Sequence, residues 1–237
     1  MPAAEYLVCR SAKELSSALS AGTVFSVVTS ENGPAEFNRS QEITDWLNRT
    51  NLRAGSSFDS QSMPHAVLAI LPAAGTTIPI AQIVAAHCLA RGWIHREREG
   101  DLTTVLSEML ANSVLHGTLG LPSFRAGNES EFQEWINARL VDKDIANTPV
   151  LLFLRYRLSR LLIHVEDSGP GFVTQSILGK GIDSNVEPLR DQERPPNLVP
   201  KRDMGRGLML VKAMTDGWRI SASGTRVSAV FYRREVT

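Results

Sequence analysis

Glu108-Met-Leu-Ala-Asn112-Ser-Val-Leu-His116-Gly117 is the stretch on which the fold reading turns. Its polar residues Glu108, Asn112 and His116 recur at i, i+4 and i+8, so on an α-helix they form one stripe. Leu102, Val105, Leu106, Met109 and Leu110 recur at helical spacing on the neighbouring face. The pattern predicts a helix from about Glu97 to His116 with that apolar face buried. The polar stripe borders the apolar face instead of lying opposite it, as the rim of a pocket would. Taken by itself the stripe also reads as a solvated helix edge. As chemistry, the amide oxygen of Asn112 is a hard donor that suits magnesium, an ion that keeps several waters and needs few protein ligands beside phosphates. Glu108, one turn away, is placed to orient or deprotonate an attacking hydroxyl.

Two later segments complete the pattern. Leu161-Leu-Ile-His-Val-Glu166 reads as a strand that runs into Asp167-Ser-Gly169-Pro-Gly171-Phe172. A carboxylate at a strand end can accept a hydrogen bond from the exocyclic amine of a base, and the glycines let backbone come close to a ligand. The same residue types also make ordinary turns. Further on, Met204-Gly205-Arg206-Gly207-Leu-Met-Leu-Val211 puts two glycines at a helix start. Free N–H groups and the helix dipole there favour phosphate oxygens. A glycine-bearing helix start without a ligand is the plainer reading. Neither GxxxxGK[ST] nor GxGxxG is present in this run, so it carries no Walker or Rossmann signature.

Around these segments the chain is ordinary. It has 237 residues, 43% of them hydrophobic and 21% charged, with 25 basic against 25 acidic side chains. One large domain, or one domain with a smaller companion, is expected. The charge balance gives no electrostatic case for nucleic acid or an anionic membrane as partner. Cys9 and Cys88 are far apart and lack metal-ligand spacing, so two reduced thiols are expected. The N-terminus lacks a signal-peptide pattern, no apolar run approaches a membrane span, and a cytoplasmic location is expected.

Residues 1–65 read as a small α/β segment: a strand at Tyr6–Cys9, a helix Ala12–Leu19 capped by Ser11, a strand Thr23–Thr29, a turn at 31–34, a helix over 41–49 and a polar loop at 55–62. His65–Leu71 is a strand that Pro72 breaks, and Pro79 starts a helix to about Arg91. The 118–149 connection contains a helix over Glu129–Leu140. Val150–Arg157 and Leu161–Glu166 form a hairpin around Leu158-Ser159-Arg160. Residues 173–204, rich in proline and charge, read as a functional lid or a disordered segment. A helix over Gly207–Thr215 and two strands, 219–223 and 226–232, turning at Gly224-Thr225, close the chain. His65, His87, His95 and His164 are scattered without metal spacing, and Ser168 has no base beside it.

Together the three segments resemble the N, G1 and G2 boxes of the GHKL ATPases, the group that includes DNA gyrase and the histidine kinases. The likeness is strongest to the bacterial anti-sigma-factor serine kinases. It rests on Glu108 to Gly117, on Gly205 to Val211 followed by Asp216-Gly-Trp218, and on Gly224-Thr225. It covers roughly residues 70–237 without the 118–149 connection. The resemblance implies a Bergerat-type two-layer α/β sandwich, with a mixed sheet of about five strands covered by helices on one face. The small N-terminal α/β extension would lie outside it. It implies ATP and Mg2+ as cofactors. Asn112 would hold the metal and Glu108 would be the catalytic base. Asp167 would bind the adenine amine, and Gly169 and Gly171 would shape the base pocket. Gly205 and Gly207 would contact phosphates, as could Lys201, Arg202 or Arg206. Thr225 would assist at the adenine, and residues 173–204 would be the ATP lid. His116 is given no chemistry.

By the same resemblance the activity is protein serine/threonine phosphorylation. The partner is a protein: a sigma factor, an anti-sigma antagonist or another regulator. A homodimer is left open. Two other functions compete, a nucleotide-gated adaptor that transfers nothing and an ATP hydrolase of the clamp or chaperone type. The long 118–149 connection and the first 65 residues depart from the compact serine kinases.

Overall fold

A computed structural model of the chain describes residues 7–30, 65–122, 129–171 and 206–233. The turn at 31–34, the helix over 41–49, the loop at 55–62 and the lid over 173–204 lie outside the described residues.

The described residues form one seven-stranded mixed sheet in the order β1-β2-β3-β4-β5-β7-β6. The strands are β1 (Leu7–Cys9), β2 (Phe25–Val28), β3 (Ala66–Ile70), β4 (Val150–Arg157), β5 (Arg160–Glu166), β6 (Gly217–Ile220) and β7 (Arg226–Tyr232). Pairing is parallel from β1 through β3 and antiparallel beyond. The five strands after residue 65 match the number expected. The N-terminal segment adds two more to the same sheet, with Val27 opposite Ala69 and Val28 opposite Ile70.

Helices cover one face: α1 (Ala12–Ser20), α2 (Pro72–Thr77), α3 (Ile80–Ala90), α4 (Glu99–Ala111), α5 (Glu129–Leu140), α6 (Lys143–Ala146) and α7 (Arg206–Met214). α3 packs against α1 and α4, and α4 packs against α7, so the helical layer runs α1-α3-α4-α7. The main core lies between the layers. Alternate strand residues point into it: Leu68 and Ile70 from β3, Leu152 and Leu154 from β4, Leu161, Ile163 and Val165 from β5. Leu102, Val105, Leu106 and Met109 meet them from α4, each with no exposed surface. Leu15, Ala18 and Leu19 of α1 belong to the same cluster. Ser11 caps α1 as expected, its Oγ accepting from Glu14 N at 3.3 Å.

Several local expectations are corrected. Pro72 does end β3, but it also occupies the first turn of α2, where its missing N–H costs nothing. Pro79 precedes α3 as its cap residue instead of opening it. The short helix α6 is an addition to the expected elements; Asp142 caps it by accepting from Asp144 N and Ile145 N. The long helix over 97–116 is three pieces: a 3-10 turn at Arg96–Arg98, α4, and a π-helical segment over Asn112–Thr118. Side-chain periodicity cannot distinguish these, because the difference lies in the backbone bond pattern, i to i+5 in a π turn. The hairpin between β4 and β5 turns on Leu158 and Ser159 alone, with Arg160 already in the strand. Both turn residues have positive φ, 51° and 57°, the backbone a two-residue hairpin demands even without glycine. β6 starts earlier than expected, at Gly217, because its pairing with Val230 of β7 begins there.

The outer face of the sheet carries a smaller apolar cluster of Phe25, Val27, Val67, Ala69, Leu151 and Phe153. Beside it, His164 Nδ1 lies 2.7 Å from Ser228 Oγ across the β5–β7 pair. Burial, aided by the charges of Arg226 and Arg155, pushes His164 from 6.5 down to about 4. An unfolded chain therefore takes up this proton first as pH falls. The His164 contribution to stability is full above pH 6.5 and is lost toward pH 4, by about 2–3 kcal/mol. Urea midpoints measured across that window should fall for the wild type and fall less for His164→Gln; parallel curves would refute the assignment.

Both cysteines are buried free thiols, as expected. Burial pushes Cys88 up to about 12 and also raises Cys9, whose thiol feels Glu14 as well. Such thiols are poor nucleophiles. Among the described residues no helix is long and apolar enough to cross a membrane.

Candidate nucleotide site

The α4–α7 contact forms one wall. Glu108 and Asn112 are half-buried on adjacent turns and face the first turn of α7. A Cβ built on Gly207 would overlap Glu108 Oε2 and lie 3.2 Å from Asn112 Nδ2. Glycine is what lets the start of α7, whose first N–H groups have no partner within a helix, come this close to the two side chains.

The second wall is the turn after β5. Asp167 is 9% exposed. Its backbone N donates to Thr225 O at 3.0 Å, and its Oδ1 accepts from Gly169 N at 3.0 Å. Ser113, a buried residue of the π segment, hydrogen-bonds the same carboxyl. A Cβ on Gly117 would sit 2.6 and 2.7 Å from the two carboxyl oxygens. A Cβ on Gly169 would overlap Gly117 O and lie 2.7 Å from its carbonyl carbon. The end of the π segment and the Asp167 turn thus touch backbone to backbone. The π turn explains the geometry: it re-aims the residues after Asn112, so that Ser113 and Gly117 reach Asp167. His116 leaves the expected stripe; its Nδ1 lies 2.8 Å from Leu121 O and so carries the proton.

Burial raises the Asp167 pKa, and the Glu166 charge adds to this. The Gly169 N–H and the Ser113 hydroxyl pull it back by favouring the anion. Glu166 is itself paired with Arg226, 2.7 Å away. The outcome is a shielded carboxyl whose acceptor edge is fixed by short-range hydrogen bonds, as a selective contact to a base amine requires.

The third wall is the β6–β7 turn. Gly171, at φ 71°, would place a Cβ on Ser223 O. Hydroxyls of Ser221, Ser223 and Thr225 form a chain at 2.9 and 2.8 Å that stiffens this turn.

The structure therefore brings Glu108, Asn112 and Gly207 together, and separately Asp167, Gly169, Gly171 and Thr225. Contacts of Asp167 with Ser113 and Gly117 join the two groups through the π segment. Lys201, Arg202, Gly205 and the side chain of Arg206 lie outside the described residues. Ser113, Gly117 and Ser223 had no assigned role from sequence. A serine one residue after Asn112 would fall off the stripe of a regular helix, and only the wider turn reveals it.

A two-layer sandwich with carboxyl, amide and glycine residues gathered at one sheet end fits a class of nucleotide-binding fold. The sequence model of the histidine kinase-like ATPase domain family matches residues 71–231, well over half of the chain. The chain belongs to that family, and ATP is the ligand its fold is built to bind. A comparison with curated proteins gave no match.

Proposed function

We propose that the protein is an ATP-dependent serine/threonine kinase of the anti-sigma-factor type, which phosphorylates or sequesters a transcription-regulator partner. The observation that carries the reading is the packing of Gly207 against Glu108 and Asn112. A phosphate held at the start of α7 would lie beside an amide suited to a metal and a carboxylate suited to a hydroxyl proton. The donor set fits magnesium bound largely through its nucleotide: among the described residues no three His, Cys, Asp or Glu side chains gather into a metal cage. When bound, Mg2+ supplies neutralisation of phosphate charge. Asn112 is the residue that would hold it.

In this reading Asp167 accepts from the adenine amine, with Ser113 and Gly169 N–H fixing its orientation. Thr225 closes the same corner. Glu108 would accept the proton of the partner's serine or threonine hydroxyl as that oxygen bonds to the γ-phosphorus. The bond from the γ-phosphorus to the β,γ-bridging oxygen breaks and ADP leaves, with the start of α7 stabilising the phosphate oxygens. Most of the rate gain comes from positioning and charge neutralisation.

Calorimetry with Mg-ATP tests the pocket. Asn112→Ala should weaken binding about tenfold, the loss of one hard ligand contact; equal affinity for both proteins would sink the magnesium assignment. Labelled ATP with regulators encoded beside this gene tests transfer. Label on a partner serine or threonine supports the kinase. Tight ATP binding with no transfer supports an adaptor instead, and steady phosphate release without a partner supports a hydrolase.

A further inference from the structure

Arg98 ends the 3-10 turn before α4 and lies at the far end of the α4–α7 pair from Gly207. Its Nη2 donates to Met214 O, the last carbonyl of α7, at 2.9 Å. Its Nη1 lies 3.4 Å from Asp216 Oδ2, and that oxygen also accepts from Tyr232 N at 2.8 Å. Nε is 3.0 Å from Asp101 Oδ2 but makes no aligned hydrogen bond, so that contact is Coulombic. The guanidinium carbon lies 5.1 Å from the centre of the Phe231 ring. One side chain therefore ties the start of α4, the end of α7 and strand β7.

We infer that Arg98 is a positioning residue that sets the depth at which α7 presents its N-terminal turn to the nucleotide phosphates. α4 and α7 run antiparallel: Arg98 meets Met214 at one end, and Glu108 and Asn112 meet Gly207 at the other. A helix is stiff along its axis, so a grip on its C-terminal carbonyls fixes the N–H groups at its N-terminus. The positive charge also suits the negative end of the helix dipole. Elsewhere α7 is held by apolar contacts through Leu208, Val211 and Met214 and by the close fit of Gly207 against Glu108 and Asn112; the apolar contacts resist sliding weakly, and the Arg98 hydrogen bond is directional. Asp167, Gly169 and Thr225 lie at the end of β5, β6 and β7 opposite to Asp216 and Phe231, which Arg98 holds. Arg98 thus acts on phosphate contacts and leaves base contacts alone.

This inference rests on the reading of Gly207 as a phosphate contact. Its test is Arg98→Met and Arg98→Lys in the full chain, titrated with Mg-ATP and with adenosine well below the unfolding transition. Arg98→Met should lose about tenfold in Mg-ATP affinity, the scale of one charge-assisted hydrogen bond. Its adenosine affinity should stay unchanged, and Arg98→Lys should recover part of the ATP loss. Arg98→Met leaves the Asp216 carboxylate without this cation, so the Arg98→Met/Asp216→Asn double variant is the stability control. It should regain thermal midpoint and stay weak for ATP. Equal losses for ATP and adenosine, no loss for either, or ATP affinity returning with stability in the double variant would each overturn the inference. A wild type that binds neither ligand would overturn the nucleotide reading itself.

Discussion

Gly171→Ala is expected to lower folding stability by about 2–5 kcal/mol and the thermal midpoint by roughly 10 °C. Two costs add at this position. The backbone sits at φ 71°, where an L side chain is strained by about 1–2 kcal/mol. The new methyl would also overlap Ser223 O, a backbone atom that cannot rotate away. Relief requires the Asp167 turn to part from the β6–β7 turn, which separates the two turns of the candidate site and costs a further ~1–3 kcal/mol as overpacking does. Gly100→Ala is the matched control. Gly100 lies in the first part of α4 with nothing within 4 Å of a built Cβ. That change should be neutral or slightly stabilising, by up to ~1 kcal/mol. Calorimetric melts of the three proteins decide the matter, and coincident transitions for Gly171→Ala and wild type would refute the account.

Glu108→Gln should reduce phosphate transfer about 10²- to 10⁴-fold, the range over which a positioned general base contributes. The substitution keeps the shape of the side chain, so the close fit of Gly207 against it survives. Mg-ATP affinity should therefore hold within about threefold, because in the proposed mechanism Glu108 would meet the attacking hydroxyl and not the nucleotide in the ground state. Single-turnover transfer from labelled ATP to the partner, paired with calorimetry, separates the two effects. Unchanged transfer would remove Glu108 from the chemistry. Transfer and affinity falling together would make it a binding residue.

The parts of the fold that rest on side-chain periodicity were legible. Leu102 to Leu110 announced the buried face of α4, and the alternation from Leu161 to Val165 announced β5 and its inward side. The hairpin, α5 and the last strand came from equally local signals. The candidate site was legible as three separate segments because glycine, asparagine and carboxylates at element ends are local features too. The hidden parts depend on contacts between segments distant in sequence. Nothing near residue 113 shows that a serine there reaches Asp167, since this depends on the π turn. Nothing near Arg98 shows that its guanidinium lands on Met214 O and Asp216, over a hundred residues away. That β1 and β2 join the main sheet is likewise a matter of pairing partners, which strand propensity does not name.

The order of the sheet has a consequence for how the molecule keeps to itself. Among the described residues both outermost strands are short, three residues in β1 and four in β6, and so offer little template for another chain to pair with. Without β1 and β2 the border would pass to β3, whose five residues Ala66-Val-Leu-Ala-Ile70 are all apolar and buried. A bare strand of that kind is adhesive. Within residues 7–30, β1 and β2 thus occupy the edge of β3 and leave a short, less adhesive border in its place.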